Sequence, residues 1–239
     1  MLSGPAAARV QPPPDGAAAP GGTCFLFDVD NTLLDNDQFQ DRLGARLEAD
    51  FGAAERARYW ELFERRRDEL GYADYLGALQ MLRSGLEDQP RLLGMSDFML
   101  DFPFAQLLYP GALAALAHAR TLGRVAIVSD GDIVFQPRKI ERAGIRDAVD
   151  GHVLIYVHKE RSLGSVLAAE PAAHYVMVDD KANLLAAMKR VLGSRLTTVF
   201  VRQGHYARGP AAEAPTADLT IDHIGDLLQR RLTDFEATQ

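Results

Sequence analysis

The feature that most constrains this chain of 239 residues is the stretch from Cys24 to Leu34, Cys-Phe-Leu-Phe-Asp-Val-Asp-Asn-Thr-Leu-Leu. Its first four residues form an apolar run after two glycines, which is typical of a buried strand in a parallel sheet. Asp28 and Asp30 follow directly, and their spacing of two places both carboxylates on one face. Open α/β sheets bind ligands at the carboxyl ends of their strands, so this placement favours a functional site. A turn or a helix N-cap is the alternative, since strands commonly end in Asp.

The rest of the chain alternates between strand and helix patterns. Apolar runs at 125–128, 151–157, 174–178 and 197–201 are predicted strands, and segments with helical spacing of apolar residues separate them. A short strand and a closing helix are predicted between 217 and 232. This alternation predicts an α/β fold, a doubly wound (Rossmann-like) parallel sheet with helices on both faces. Right-handed crossovers bring the carboxyl ends of all strands to one edge.

The segment between the first two predicted strands has a different pattern. From Phe39 onward, apolar residues recur at helical spacing, and glycines mark the predicted ends of three to five helices. We predict an all-helical cap domain at 36–105, inserted into a catalytic core formed by 23–35 and 106–239. Residues 1–22 are rich in Pro, Gly and Ala and lack the large side chains that offset ordering entropy. We predict that they form a disordered arm.

The composition argues against some classes of binding partner and indicates the cellular compartment. The net charge of -7 argues against a general nucleic-acid or anionic-membrane binder, because such binders need clustered Lys and Arg. No window offers about 18 uninterrupted apolar residues, so a transmembrane helix is not predicted. The chain also starts without the pattern of a secretory signal. Cys24 is the only cysteine, which excludes an intrachain disulfide and favours a reducing cytoplasm.

Polar residues gather where the predicted strands end. After Asp28 and Asp30 they are Ser129, Lys159, Asp179 and Asp180. Several carboxylates at one edge repel one another unless a cation neutralises them, and oxygen ligands suit Mg²⁺ in particular. Beside such an ion, Lys159 can neutralise the charge of a phosphoryl group, and the hydroxyl of Ser129 can donate a hydrogen bond to it. One aspartate can then attack phosphorus while a second acid protonates the leaving oxygen.

The order of these motifs, Asp-x-Asp-x-Thr followed by Ser, Lys and Asp-Asp, resembles the four motifs of the haloacid dehalogenase superfamily. The helical block after the first motif is similar to the helical cap of that superfamily, and the resemblance runs from about residue 23 to the C-terminus. It implies that Asp28 is the nucleophile, which forms an aspartyl-phosphate, and that Asp30 is the general acid and base. Thr32 is implied to support the first loop at the phosphate site, and Ser129 and Lys159 to bind the substrate phosphate.

The resemblance also implies a set of ligands for Mg²⁺. These are Asp28, the backbone carbonyl of Asp30, and Asp180, while Asp179 is a second ligand from the same motif or acts through water. Asn183 has two interpretations. It either holds the lysine or a metal-bound water, or it is a polar residue at a helix N-terminus.

The assignment of the third-motif lysine depends on order along the chain. Lys159 is preferred to Lys139 and Lys181 as the lysine of the third motif, because it precedes the helix that leads to the fourth predicted strand.

Substrate specificity is expected to come from the cap. Its candidate substrate contacts are Arg42, Arg46, Arg65, Arg66, Arg67, Tyr72 and Tyr75, with a solvated face or the cap core as the alternative for each.

Asp30 separates the activities found in the superfamily. The resemblance implies that dehalogenases lack an acid at this position, whereas phosphatases and phosphomutases have one. We predict a Mg²⁺-dependent phosphatase, a phosphoric monoester hydrolase, that acts on a small phosphorylated metabolite. A phosphomutase of the same superfamily is the enzymatic alternative, and a non-catalytic binding module is the third hypothesis. That third hypothesis predicts a damaged motif, and none is damaged. The oligomeric state stays open.

Overall fold

The computed structural model describes residues 21–86, 89–206 and 217–235, so the predicted arm lies almost wholly outside the described residues. Six strands form one sheet in the order β3-β2-β1-β4-β5-β6, and every neighbouring pair is parallel. The strands are β1 (Thr23–Phe27), β2 (Arg124–Asp130), β3 (Val153–Tyr156), β4 (His174–Asp179), β5 (Leu196–Val201) and β6 (Leu219–Ile221). The predicted doubly wound parallel sheet is confirmed.

Nine α-helices lie in the described part of the chain. Four precede β2, namely α1 (Asn36–Phe51), α2 (Ala53–Leu70), α3 (Tyr75–Leu82) and α4 (Gln89–Leu100). The others are α5 (Ala112–Leu122), α6 (Phe135–Arg142), α7 (Ile145–Ala148), α8 (Leu163–Ala169) and α9 (Ala182–Leu192). The all-helical insertion is confirmed, while its predicted boundaries at 36 and 105 stay a prediction. Among the described residues, no helix is long and apolar enough to cross a bilayer.

Two predicted elements differ in detail from the structure. The strand predicted at 151–157 begins only at Val153, because Asp150 and Gly151 have positive φ angles of 50° and 79° and form a turn. The predicted closing helix is a short 3₁₀ helix, Ile224–Gln229. Both differences fall at the outer elements of the sheet and leave the strands that carry the site unchanged.

The sheet separates two apolar cores. Alternate residues of a strand point to opposite faces, so Phe25 and Phe27 of β1 enter one core while Cys24 and Leu26 enter the other. The core on the Phe25 side continues into the helical block. β1 is therefore buried on both faces, which fixes the position of the residues that follow it.

Two segments connect the helical block with the sheet, and they run side by side. The backbone N–H of Asp35 donates to the carbonyl of Leu107 (2.8 Å), and the N–H of Tyr109 donates to the carbonyl of Leu33 (3.0 Å). The chain thus leaves the sheet and returns to it at one place, so the helical block is a single excursion from the core.

Candidate active site

The loop after β1 is a tight turn with its own hydrogen bonds. The carbonyl of Val29 accepts from the N–H of Leu33 (2.9 Å). Asn31 has a φ of 62°, a left-handed conformation that Asn tolerates better than most residues. Its Oδ1 accepts from the N–H groups of Asn36 (3.0 Å) and Asp37 (3.2 Å) at the start of α1. The sequence therefore holds the two carboxylates of the first motif on a short, fixed loop.

Lys159 lies between two carboxylates at the end of the sheet. Its Nζ forms ion pairs with Asp28 and with Oδ2 of Asp179 (2.7 Å), and the residue is fully buried. Burial alone would lower the pKa of Lys159, but the Asp179 and Asp28 carboxylates hold it above its usual range. The structure thus places Lys159 beside Asp28, and its assignment as the lysine of the third motif stays a prediction.

Three buried carboxylates form a candidate metal site. Asp28, Asp179 and Asp180 are 2%, 0% and 1% exposed, and each offers an oxygen within 4.8 Å of the others. Among the described residues, Oδ2 of Asp28 and both oxygens of Asp180 have no hydrogen-bond partner. Burial raises the pKa of Asp180 well above its usual range, and the charges of Asp179 and Asp28 add to the effect. Unpartnered buried carboxylate oxygens fit a hard divalent cation.

The strand order explains why these acids meet. From β1 the chain proceeds to β2 and β3 on one side, then crosses to β4 on the other side of β1. Asp28 follows β1 and Asp180 follows β4, so both lie at the topological switch point where such sheets bind ligands. Asp179 is already held, because its Oδ1 accepts from the N–H of Lys181 (2.8 Å). The free oxygens of Asp180 are consistent with its implied role as the more direct metal ligand.

Charge balance around the site also favours a divalent cation. Asp130 belongs to the surrounding group, since its Oδ1 accepts from the backbone N–H of Lys159 (2.7 Å). The carboxylates are Asp28, Asp30, Asp130, Asp179 and Asp180, and the lysines are Lys139, Lys159 and Lys181. When all are ionised, the carboxylates exceed the lysines by two charges, which one divalent cation neutralises.

Asp30 lies apart from this cluster and is bound by residues to which the sequence analysis gave no role. Its Oδ1 and Oδ2 accept from Nζ of Lys139 at 2.8 and 3.0 Å, and Nε2 of Gln136 lies 3.3 Å from Oδ2. A signal was present in α6. Gln136 and Lys139 share its buried face with Phe135 and Ile140, so two polar side chains occupy positions of an apolar stripe.

The remaining predicted site residues differ in their surroundings. Ser129 is buried, and its Oγ accepts from Nε2 of Gln136 (2.9 Å). The hydroxyl of Thr32 is buried without a hydrogen-bond partner among the described residues. Asn183 is exposed in the first turn of α9, and no described hydrogen bond joins it to Lys159. Its position matches the helix N-terminal interpretation.

A cavity of about 200 Å³ lies between the helical block and the sheet. Its lining includes Asp30, Asn36, Arg67, Tyr72, Tyr75 and His205. Arg67, Tyr72 and Tyr75 were candidate cap contacts, whereas the other four candidates are not among the lining residues. His205 was not predicted. It lies beyond β5, and its Nδ1 is 2.6 Å from Oδ1 of Asp37. The volume is below that of a pocket for a drug-sized ligand, so a small molecule fits this space.

Comparisons with known proteins concern the family and the fold. The sequence profile of the haloacid dehalogenase-like hydrolases matches residues 23–192. Among curated proteins, none matches significantly. A solved structure described as a haloacid dehalogenase-like hydrolase, from Burkholderia xenovorans, is 57% identical and has a TM-score of 0.83, covering 88% of this chain and 99% of its own.

Two more distant structures share the fold. L-2-haloacid dehalogenase from Xanthobacter autotrophicus is 20% identical with a TM-score of 0.57, over 86% of this chain and 96% of its own. A protein named as a β-phosphoglucomutase, from Thermotoga maritima, is 16% identical with a TM-score of 0.58, over 87% of this chain and 97% of its own.

Proposed function

The chain belongs to the haloacid dehalogenase-like hydrolases, and from this premise we propose that it is a Mg²⁺-dependent phosphatase of small phosphate monoesters. One observation carries the proposal. The buried acids Asp28, Asp179 and Asp180 surround the position where a metal would sit, while Asp30 faces the cavity from the same loop as Asp28. The net charge of -7 supports a small-molecule substrate rather than a nucleic acid.

Residues at the carboxyl ends of the strands would bind the phosphate group. Asp28, Asp179 and Asp180 would hold Mg²⁺, which supplies charge neutralisation of the phosphate oxygens when bound. Lys159 adds a fixed positive charge beside Asp28, and the buried hydroxyl of Ser129 adds a directional donor. These groups lie on the ends of different strands, so the sheet fixes their relative positions.

Cleavage of the ester proceeds in two steps. An oxygen of Asp28 attacks phosphorus, the bond from phosphorus to the ester oxygen breaks, and Asp30 gives its proton to that leaving oxygen. The alcohol departs and Asp28 carries the phosphoryl group. In the second step Asp30, now a carboxylate, takes a proton from the water that attacks phosphorus. Phosphate is released, and Asp28 returns to its carboxylate form with the proton back on Asp30.

The same residues argue against dehalogenation. A halide leaves as an anion and needs no proton, so dehalogenation would not use Asp30 at the cavity as a general acid. The similarity to the Xanthobacter dehalogenase is at 20% identity and concerns the fold.

A phosphomutase of the same superfamily is the second candidate. The structural neighbour from Thermotoga named as a β-phosphoglucomutase has the same overall fold. A mutase would use the same Asp28 and Asp30, but a hydroxyl of a substrate would take the phosphoryl group in place of water. The products separate the two reactions, because a mutase forms a phosphate isomer without releasing free phosphate.

The test is a panel of sugar, nucleotide and amino-acid phosphates together with p-nitrophenyl phosphate, assayed with and without Mg²⁺. We expect phosphate release that needs both Mg²⁺ and Asp28 and is absent in Asp28→Asn. Asp147→Asn is the matched control, because Asp147 is exposed on α7 at the opposite edge of the sheet.

Other outcomes of the panel decide against the proposal. Isomer formation without free phosphate, followed by ³¹P NMR, would identify a mutase. Halide release from a 2-haloacid in a parallel assay would identify a dehalogenase. Phosphate release by Asp28→Asn at the wild-type rate would remove the nucleophile assignment.

A further inference from the structure

Lys139 is a fully buried lysine outside the four predicted motifs. It lies on α6, and its Nζ donates to Oδ1 (2.8 Å) and Oδ2 (3.0 Å) of Asp30 and to Oδ1 of Asn36 (2.9 Å). An ammonium group has three protons, so these contacts use its full donor capacity. Asp30 is the acidic side chain that pairs with this buried ammonium group in the described salt bridges.

Aromatic rings hold the ammonium group on its other sides. Its Nζ lies 5.5 to 6.0 Å from four ring centroids, those of Phe39, Tyr75, Phe104 and Phe135. Cations are attracted to ring faces at such distances, and the rings exclude water. Phe39 and Tyr75 belong to the helical block, whereas Phe135 is on the same core helix as Lys139. The position of the ammonium is therefore fixed from both parts of the molecule.

A second side chain of α6 contacts the same carboxylate. Nε2 of Gln136 lies 2.9 Å from Oγ of Ser129 and 3.3 Å from Oδ2 of Asp30. Gln136 and Lys139 are three residues apart, so they share one face of the helix. This face of α6 thus joins the acid of the first motif to the hydroxyl of the second.

We propose that Lys139 is a positioning residue that holds the carboxyl group of Asp30 toward the leaving oxygen of the substrate. The side chain of Asp30 is 24% exposed and borders the cavity, while Lys139 contacts it from the buried side. Lys139 exchanges no proton with the substrate, and all proton transfer runs through Asp30. The inference rests on the proposed phosphatase function, because only an ester with a basic leaving group needs this proton.

The experiment compares two leaving groups in Lys139→Met. p-Nitrophenolate leaves readily as an anion, whereas the alcohol of glycerol phosphate needs a proton. General acid catalysis is worth about 10²–10⁴-fold, so we expect kcat/KM on glycerol phosphate to fall about 100-fold and kcat/KM on p-nitrophenyl phosphate less than about fivefold. We compare kcat/KM because it reports only the step in which the leaving group departs, whereas hydrolysis of the aspartyl-phosphate is common to both substrates. Asp30→Asn should show the same selective loss.

Two further variants control for structural damage. Lys189→Met removes a lysine that pairs with Asp218 at 2.8 Å on α9, with both side chains about one-third exposed, and should leave both rates unchanged. Lys139→Arg keeps the charge and should recover part of the turnover of glycerol phosphate. If Lys139→Met does not fold, a loss in Lys139→Arg confined to glycerol phosphate supports the role.

An equal loss of kcat/KM on both substrates in a folded variant, or no loss on glycerol phosphate, would overturn the role of Lys139. A wild-type protein that hydrolyses neither ester would instead refute the phosphatase function, and the positioning role with it. The two failures are distinguishable because the first leaves wild-type activity intact.

Discussion

Replacing Asp180 by Asn should stabilise the metal-free protein and abolish its response to Mg²⁺. Both carboxylate oxygens of Asp180 are buried without a hydrogen-bond partner among the described residues, and the carboxylates of Asp28 and Asp179 are close enough to share a metal ion. In the absence of metal, this arrangement opposes folding. Burial of this carboxyl group is unfavourable whether it is ionised or takes up a proton, whereas an amide of the same shape is neutral and can donate to the unpartnered Oδ2 of Asp28.

The magnitude follows from the cost of an unsatisfied buried group. That cost is about 1–3 kcal/mol, so the metal-free variant should gain about this much free energy of unfolding. For a domain of this size, the gain corresponds to a rise of roughly 2–12 °C in Tm. The wild type should gain about 2.7 kcal/mol at a Mg²⁺ concentration 100-fold above its Kd. The variant lacks this ligand and should gain much less, so Mg²⁺ removes or reverses its advantage.

Thermal unfolding in EDTA and in saturating Mg²⁺ measures both effects. Asp218→Asn is the matched control, because Oδ2 of Asp218 accepts from Lys189 and from the N–H and hydroxyl of Thr198, each at 2.8 Å. That variant should lose stability equally in both buffers. If Asp180→Asn were less stable than the wild type in EDTA, burial of the Asp180 carboxyl group would not oppose folding and our reasoning would be wrong.

Two further predictions concern protonation and the loop after β1. Burial raises the pKa of Asp180, so the metal-free fold retains a proton that Mg²⁺ must displace. The affinity for Mg²⁺ should therefore rise with pH as Asp180 loses this proton, and binding should release protons, which calorimetry detects in buffers of different ionisation enthalpy. An affinity independent of pH would contradict this. Gly204 has a φ of 68°, and a Cβ there would lie 2.4 Å from Cβ of Asn31. Gly204→Ala should therefore lower the free energy of unfolding in urea by about 2–5 kcal/mol and also lower activity. Gly144 has a similar φ of 75° but open space around it, so Gly144→Ala should lower the free energy of unfolding by only about 1 kcal/mol. Equal losses of stability in the two variants would show that the contact with Asn31 is unimportant.

The sequence was sufficient for the elements whose signals are local. The apolar run before Asp28 predicted β1, because a strand buried on both faces cannot alternate with polar residues. The meeting of Asp28 with Asp180 followed from the crossover rule, which brings all strand ends to one edge. The start of β3 was less predictable, since a turn at Asp150 and Gly151 competes with the apolar run.

Pairing between distant side chains was beyond the sequence. Lys139 lies on the buried face of a helix, which is visible in the pattern, but its partner Asp30 is 109 residues away. A lysine at such a position has many possible partners, and only the packing of α6 against the loop after β1 selects one. The pairing of His205 with Asp37 is similar, because it joins residues 168 positions apart in segments without a motif.

The side-by-side connections at Asp35 and Leu107 also bear on how such proteins diversify. Because the chain leaves the sheet and returns to it at one place, recombination can exchange the segment between Asp35 and Leu107 without changing the order of the strands. A shorter or longer segment needs only the same two ends. The helical block and the sheet that carries the buried acids can thus evolve separately, and the same junction is the natural site for grafting a different helical block onto this sheet.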